Sequence, residues 1–103
     1  MNAIIPKEIR ETLPDFYAST DTIDPLCKVK LFTPDANWTW FIIALSKEDS
    51  STCYDYVQGL ENELGYFSLE EIADVRGALN LPVERDLFFE PTKLSEIMNK
   101  GTK

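Results

Sequence analysis

The chain contains no histidine. That absence removes the commonest general base and the commonest zinc ligand together, and with them any Ser–His or Cys–His nucleophilic machinery within this chain. Cysteine is scarce too. Cys27 and Cys53 are too few for a disulfide framework and too far apart for a CxxC metal or redox site, so both are expected as buried, reduced thiols. There are only four glycines, and neither GxxxxGK[ST] nor GxGxxG occurs, so no phosphate cradle of backbone amides is expected. No apolar run approaches the roughly 18 to 20 residues that span a bilayer, and the opening MNAIIPKEIRETLP has neither an apolar signal core nor a small-residue cleavage site. These absences together lead us to expect a soluble, cytoplasmic protein with no membrane segment.

Basic residues are missing from one half of the chain. Residues 1–47 hold six acids and five bases, whereas residues 48–96 hold twelve acids and only Arg76, Arg85 and Lys93. Nearly all of the net charge of −8 therefore resides in the C-terminal half. Such a field repels nucleic-acid phosphates and steers a basic partner, so direct nucleic-acid binding is not expected and a basic protein partner is.

What is present reads as one folded domain over residues 1–103, with its core at about 7–97. Pro6 before KEIRETL opens a short helix that puts Ile9 and Leu13 on one face, and Pro14 ends it. Residues 15–25, rich in Asp, Ser, Thr and Pro, read as a loop. LCKVKLF (26–32) alternates with period two, as a strand with one wet face does. The turn at Pro34, Asp35 and Asn37 leads into Trp38–Leu45, apolar on both faces and hence the expected centre of a sheet. In that run strict alternation places Phe41, Ile43 and Leu45 on one face, and Trp38, Trp40, Ile42 and Ala44 on the other. TCYDYVQGL offers a third strand. Glu61–Leu64 reads as a helical turn ended by Gly65. Ser68 then caps a helix to Arg76, with Glu71 as capping-box partner and Gly77 as terminator. Leu87-Phe88-Phe89 reads as a fourth, edge strand or an extended packing segment. Thr92 caps a last helix through Met98, and the tail NKGTK frays. The expected class is α+β: a small antiparallel meander of three or four strands packed against two or three short helices.

The strings FTPDANWTW (32–40), GLENELGYFSLEEI (59–72), RGALNLPVERDLFF (76–89) and PTKLSEI (91–97) occur in this order. As a set they resemble a family of small bacterial proteins catalogued only as a domain of unknown function and carried largely by plasmids, phages and other mobile elements. The resemblance covers roughly residues 7–97. It implies a single compact domain in a mobile-element or accessory-gene setting, and it transfers no catalytic residue.

The remaining chemistry is that of carboxylates. Glu70 and Asp74, four apart on a helix, would suit a hard cation, but the DxDxDG spacing of a calcium loop is missing, and acids in a first helical turn are already favoured by the macrodipole. No metal and no cofactor is expected. Interaction with a partner is assigned to Trp38, Asp35, Glu61, Glu63, Glu70, Asp74, Glu84 and Asp86. Trp40, deeper in its strand, is assigned to the core. The reading is a non-catalytic interaction module whose acidic C-terminal half engages a basic protein, with mimicry of DNA against a host defence protein as one form. The alternative is a carboxylate-based, metal-assisted enzyme or small-ligand domain, which needs several acids converging in one concave pocket.

Overall fold

The computed structural model describes residues 4–16 and 24–99. Most of the loop expected at 15–25, and all but the first residue of the tail expected to fray, lie outside them. Among the described residues the chain runs α1 (Lys7–Arg10), β1 (Leu26–Cys27), β2 (Val29–Phe32), β3 (Thr39–Leu45), β4 (Thr52–Gln58), β5 (Asn62–Ser68), α2 (Leu69–Ala73), β6 (Glu84–Arg85), β7 (Thr92–Lys93) and α3 (Leu94–Asn99). The class is α+β, and among the described residues no helix is long and apolar enough to cross a membrane.

The principal sheet has five strands in the order β5-β4-β3-β2-β6, all antiparallel, with β2 to β5 as a meander; β1 and β7 form a separate two-stranded ribbon. The sheet is larger than the three or four strands expected, for two reasons. Glu61–Leu64 does not form a helical turn: β5 takes those residues from Asn62 onward, and Gly65 sits mid-strand opposite Asp55. Seven cross-strand pairs with β4 outweigh the weak local tendency to terminate at a glycine. The sheet's other added strand is β6, Glu84–Arg85, paired with Leu31 and Phe32, whereas Leu87 and Phe88 form a turn.

β3 lies at the centre, and six consecutive residues from Trp40 to Leu45 are buried. A bulge between Ile42 and Ala44 breaks the strict alternation. Ile43 and Ala44 consequently both face the second side, and Leu45 returns to the side of Trp40 and Ile42. On the first side the sheet buries Val29, Leu31, Trp40, Ile42, Leu45 and Val57 against Ile5 and Leu13 around α1, Leu69 and Ile72 of α2, and Val83. On the second side Cys27, Phe41, Ile43, Ala44 and Tyr56 meet Leu94 and Ile97 of α3. At roughly 1.5–3 kcal/mol for each fully buried large apolar side chain, these two layers dominate the stability.

Local grammar sets the cap of α2 but not that of α3, because Thr92, expected as its cap, lies in β7 with its hydroxyl donating to Glu90 O. The Ser68 hydroxyl accepts the Glu70 N–H at 3.1 Å and caps α2, which ends at Ala73, one turn short of Arg76 and well before Gly77. Asp24 caps α3 from a distance of 71 residues, accepting both the Ser95 N–H (2.9 Å) and the Ser95 hydroxyl (2.6 Å). These bonds hold the Asp24 carboxyl below its ordinary range.

Candidate functional site

The second side of the sheet is covered for only part of its length. α3 and the β1–β7 ribbon close the end that carries Ile43 and Ala44, and the opposite end, with Lys30, Phe32, Thr39 and Gln58, is left as the floor of a groove of about 940 Å³. Three turns build its walls. Each is set by identifiable polar contacts.

The β2–β3 turn closes where the Thr33 N–H donates to Trp38 O and the Trp38 N–H donates to the Thr33 hydroxyl, both at 3.0 Å. Trp38 then stacks on Trp40 with ring centroids 6.1 Å apart and planes 19° from parallel. Its indole lies directly on Gly59 of the β4–β5 turn, where any Cβ would overlap the ring. Glycine is required there by close approach. The second wall is that turn itself, with Leu60 at its tip, 94% exposed. The third follows β6. Asp86 ties it down: its N–H donates to Lys30 O (2.9 Å), its carboxylate accepts the Phe88 N–H (2.9 Å), and it meets the Lys30 ammonium at 3.7 Å. That turn holds Leu87 outward and leaves Phe88 92% exposed.

Of the eight residues assigned to interaction, the groove brings together Trp38, Glu61, Glu84 and Asp86. Asp35 has structural work instead. Its carboxylate accepts the Leu79 N–H (2.7 Å) and the Leu81 N–H (3.3 Å), and it packs so closely on Gly77 that a Cβ there would overlap it. We expect Asp35→Ala to free residues 77–81 at a cost of about 1–2 kcal/mol, read as faster amide exchange at Leu79 and Leu81. Glu63 is exposed on β5, and Glu70 on α2 and Asp74 at its C-terminal end are exposed too, while the apolar face of α2 packs on the other side of the sheet. Among the described residues no three acidic or cysteine side chains form a cluster able to hold a metal ion.

The sequence reading missed Leu60, Leu87 and Phe88 as exposed apolar groups. A leucine inside the polar turn GLEN was the available signal. It also passed over Asp55, a carboxyl at an inward position of β4 between Cys53 and Val57. Asp55 is fully buried, and neither carboxyl oxygen has a hydrogen-bond partner among the described residues. Burial pushes it up to about 8, with the neighbouring Cys53 thiol pulling the other way. Both cysteines are free and fully buried. Burial, with help from the charges of Asp24 and Asp55, pushes the Cys27 thiol up to about 12, and burial with Asp55 raises Cys53 as well. Neither thiol is available as a thiolate near neutral pH.

No curated protein and no solved structure matches the chain. A family model does: the one described as a protein of unknown function, DUF2958, covers residues 4–102, nearly the whole groove-bearing domain. The chain therefore belongs to the DUF2958 family.

Proposed function

We propose that this protein is a non-catalytic interaction module whose groove receives a segment of a protein partner carrying both apolar and basic side chains. The observation that supports it best is the pair Leu60 and Phe88, each more than nine-tenths exposed, standing on separate walls of one concave surface. Isolated exposed leucines are ordinary, but large apolar groups ringing a groove mark a place where a partner is desolvated. With Leu87 they supply anchors, Trp38 borders the groove at the end where its ring leans to the first side, and Thr39, Gln58 and Asn62 supply polar groups for orientation.

Charge supports a basic partner. Asp86 is matched to Lys30, which leaves Glu61 and Glu84 facing Arg85 alone around the groove, within a C-terminal half that carries twelve acids against three bases. Glu70 and Asp74 act at longer range, steering the approach of a partner they do not touch. In a mobile-element setting, such chemistry suits a modulator that occupies the basic, DNA-contacting surface of a host protein.

An immobilised array of random peptides tests this directly. We expect retained peptides to combine Lys or Arg with large apolar residues, and binding to weaken by at least about tenfold between low and high salt. Leu60→Ser with Phe88→Ser should lose about tenfold or more in affinity at unchanged stability, since both side chains are already in solvent. Retained peptides without an excess of bases, or a double variant that binds as well as the parent, would sink the reading.

A further inference from the structure

β5 ends the five-stranded sheet, and no described strand lies against its outer side. The direction of its backbone groups follows from two hydrogen bonds. The Leu69 N–H donates to Ser51 O at 2.9 Å and the Gly59 N–H donates to Glu61 O at 3.3 Å, at the two ends of an unbroken register. Antiparallel pairs alternate between bonded and unbonded, so Glu63, Gly65 and Phe67 turn their N–H and C=O groups toward β4. Asn62, Leu64, Tyr66 and Ser68 turn theirs outward. Among the described residues the edge thus presents a regular row of open donors and acceptors along seven residues.

Edges of this kind are normally blunted by proline, lysine, bulges or a covering element. Here there is no proline or lysine in β5, and its register with β4 has no bulge. Leu64 and Tyr66, on the same face, are 41% and 60% exposed. Tyr66 is held upright by Phe16 and Tyr54, with ring centroids at 5.2 and 5.0 Å. The flanks are acidic: Glu61 and Glu63 at one end, Glu70 and Glu71 at the other, and no Lys or Arg anywhere between Lys47 and Arg76. A second copy fits poorly. Matching two sets of open groups antiparallel would bring Glu61 of each copy beside the Glu70–Glu71 turn of the other.

We propose that β5 is a strand-addition site, taking an extended segment of a partner protein that carries bases among alternating apolar residues. Main-chain bonds to Leu64 and Tyr66 supply affinity, the two exposed side chains read the apolar positions, and the flanking glutamates read the bases. This inference rests on the edge and not on the groove, so the two fail separately.

The probe is a blocked peptide of about ten alternating lysine and valine residues, long enough to cover β5. In isotope-labelled protein, binding should slow amide exchange at Leu64 and Tyr66 by at least about tenfold. The same peptide N-methylated along both edges keeps its charge but loses its donors, and should bind at least about tenfold more weakly. Leu64→Pro should do likewise while keeping the fold, because the lost N–H points away from β4. Equal binding of the methylated peptide overturns the proposal. So does a response confined to Leu60 and Phe88, which would leave the groove reading standing, and so does concentration-dependent protection of Leu64 and Tyr66 without peptide, which would give the edge to a second copy.

Discussion

Denaturant titrations at about pH 5, 7 and 9 will show the wild-type chain losing stability as pH rises, and the Asp55→Asn variant failing to follow. The sign comes from proton binding. In the unfolded chain Asp55 ionises near 3.8, and in the folded chain at about 8. Between those values the folded state holds a proton that the unfolded state has released, so each pH unit removes about 1.4 kcal/mol of stability. The neutral acid's contribution is fully present below the unfolded value and gone once the pH passes about 8. Over the whole window the loss is on the order of 5 kcal/mol, comparable with the entire stability of a small domain. Asparagine does not titrate, so its profile should be the flatter by that amount, and at about pH 9 it should be the more stable protein. Asp55→Val should gain at every pH, because it also removes two buried oxygens that have no hydrogen-bond partner of good geometry among the described residues. Asp24 and Asp49 bias the acid end in the opposite direction, since hydrogen bonds hold both below their ordinary range. The comparison of variant with parent cancels them. Parallel profiles for wild type and Asp55→Asn would show that Asp55 does not titrate in this window.

What could be read from the sequence divides along physical lines. Strands β2, β3 and β4 were legible because each writes a period of two or an unbroken apolar run, and the Ser68 cap because a side-chain oxygen two residues before an amide acts locally. β5 was not legible. NELGYFS has a strand's aromatic residues, but the asparagine, glutamate and glycine that dominate its first half acquire their conformation from pairing with β4. The bulge in β3 was equally hidden, because TWFIIAL is apolar throughout and no pattern of polarity can show where its register slips. The groove has the same origin. Its floor residues come from β2, β3 and β4 and its walls from three turns, so Leu60 and Phe88, 28 positions apart, share a site only through the fold. Acidic residues were visible as a total, but their division between groove, β5 and α2 was not, since sequence alone does not say on which side of a sheet a helix packs.

The two tryptophans should separate stability from binding. Trp40 is 4% exposed and packs with Ile42, Val57 and Leu31 in the first core layer, so Trp40→Ala should cost about 3–5 kcal/mol and lower the melting temperature by well over about 10 °C. Trp38 is 37% exposed, and its backbone, not its ring, closes the Thr33–Trp38 turn. Trp38→Ala should forfeit the stacking on Trp40 and part of its burial, about 1–2 kcal/mol, and remain folded. Its affinity for peptides retained by the wild-type groove should nevertheless fall by about tenfold or more. Gly59→Ala offers an independent check, because the added methyl displaces the indole without deleting it. If position matters, Gly59→Ala should lose binding as Trp38→Ala does, with an intact indole still in the chain. Were Trp38→Ala to unfold the protein, Trp38 would belong to the core; were it to fold and bind normally, binding in the groove would not depend on the indole at its border.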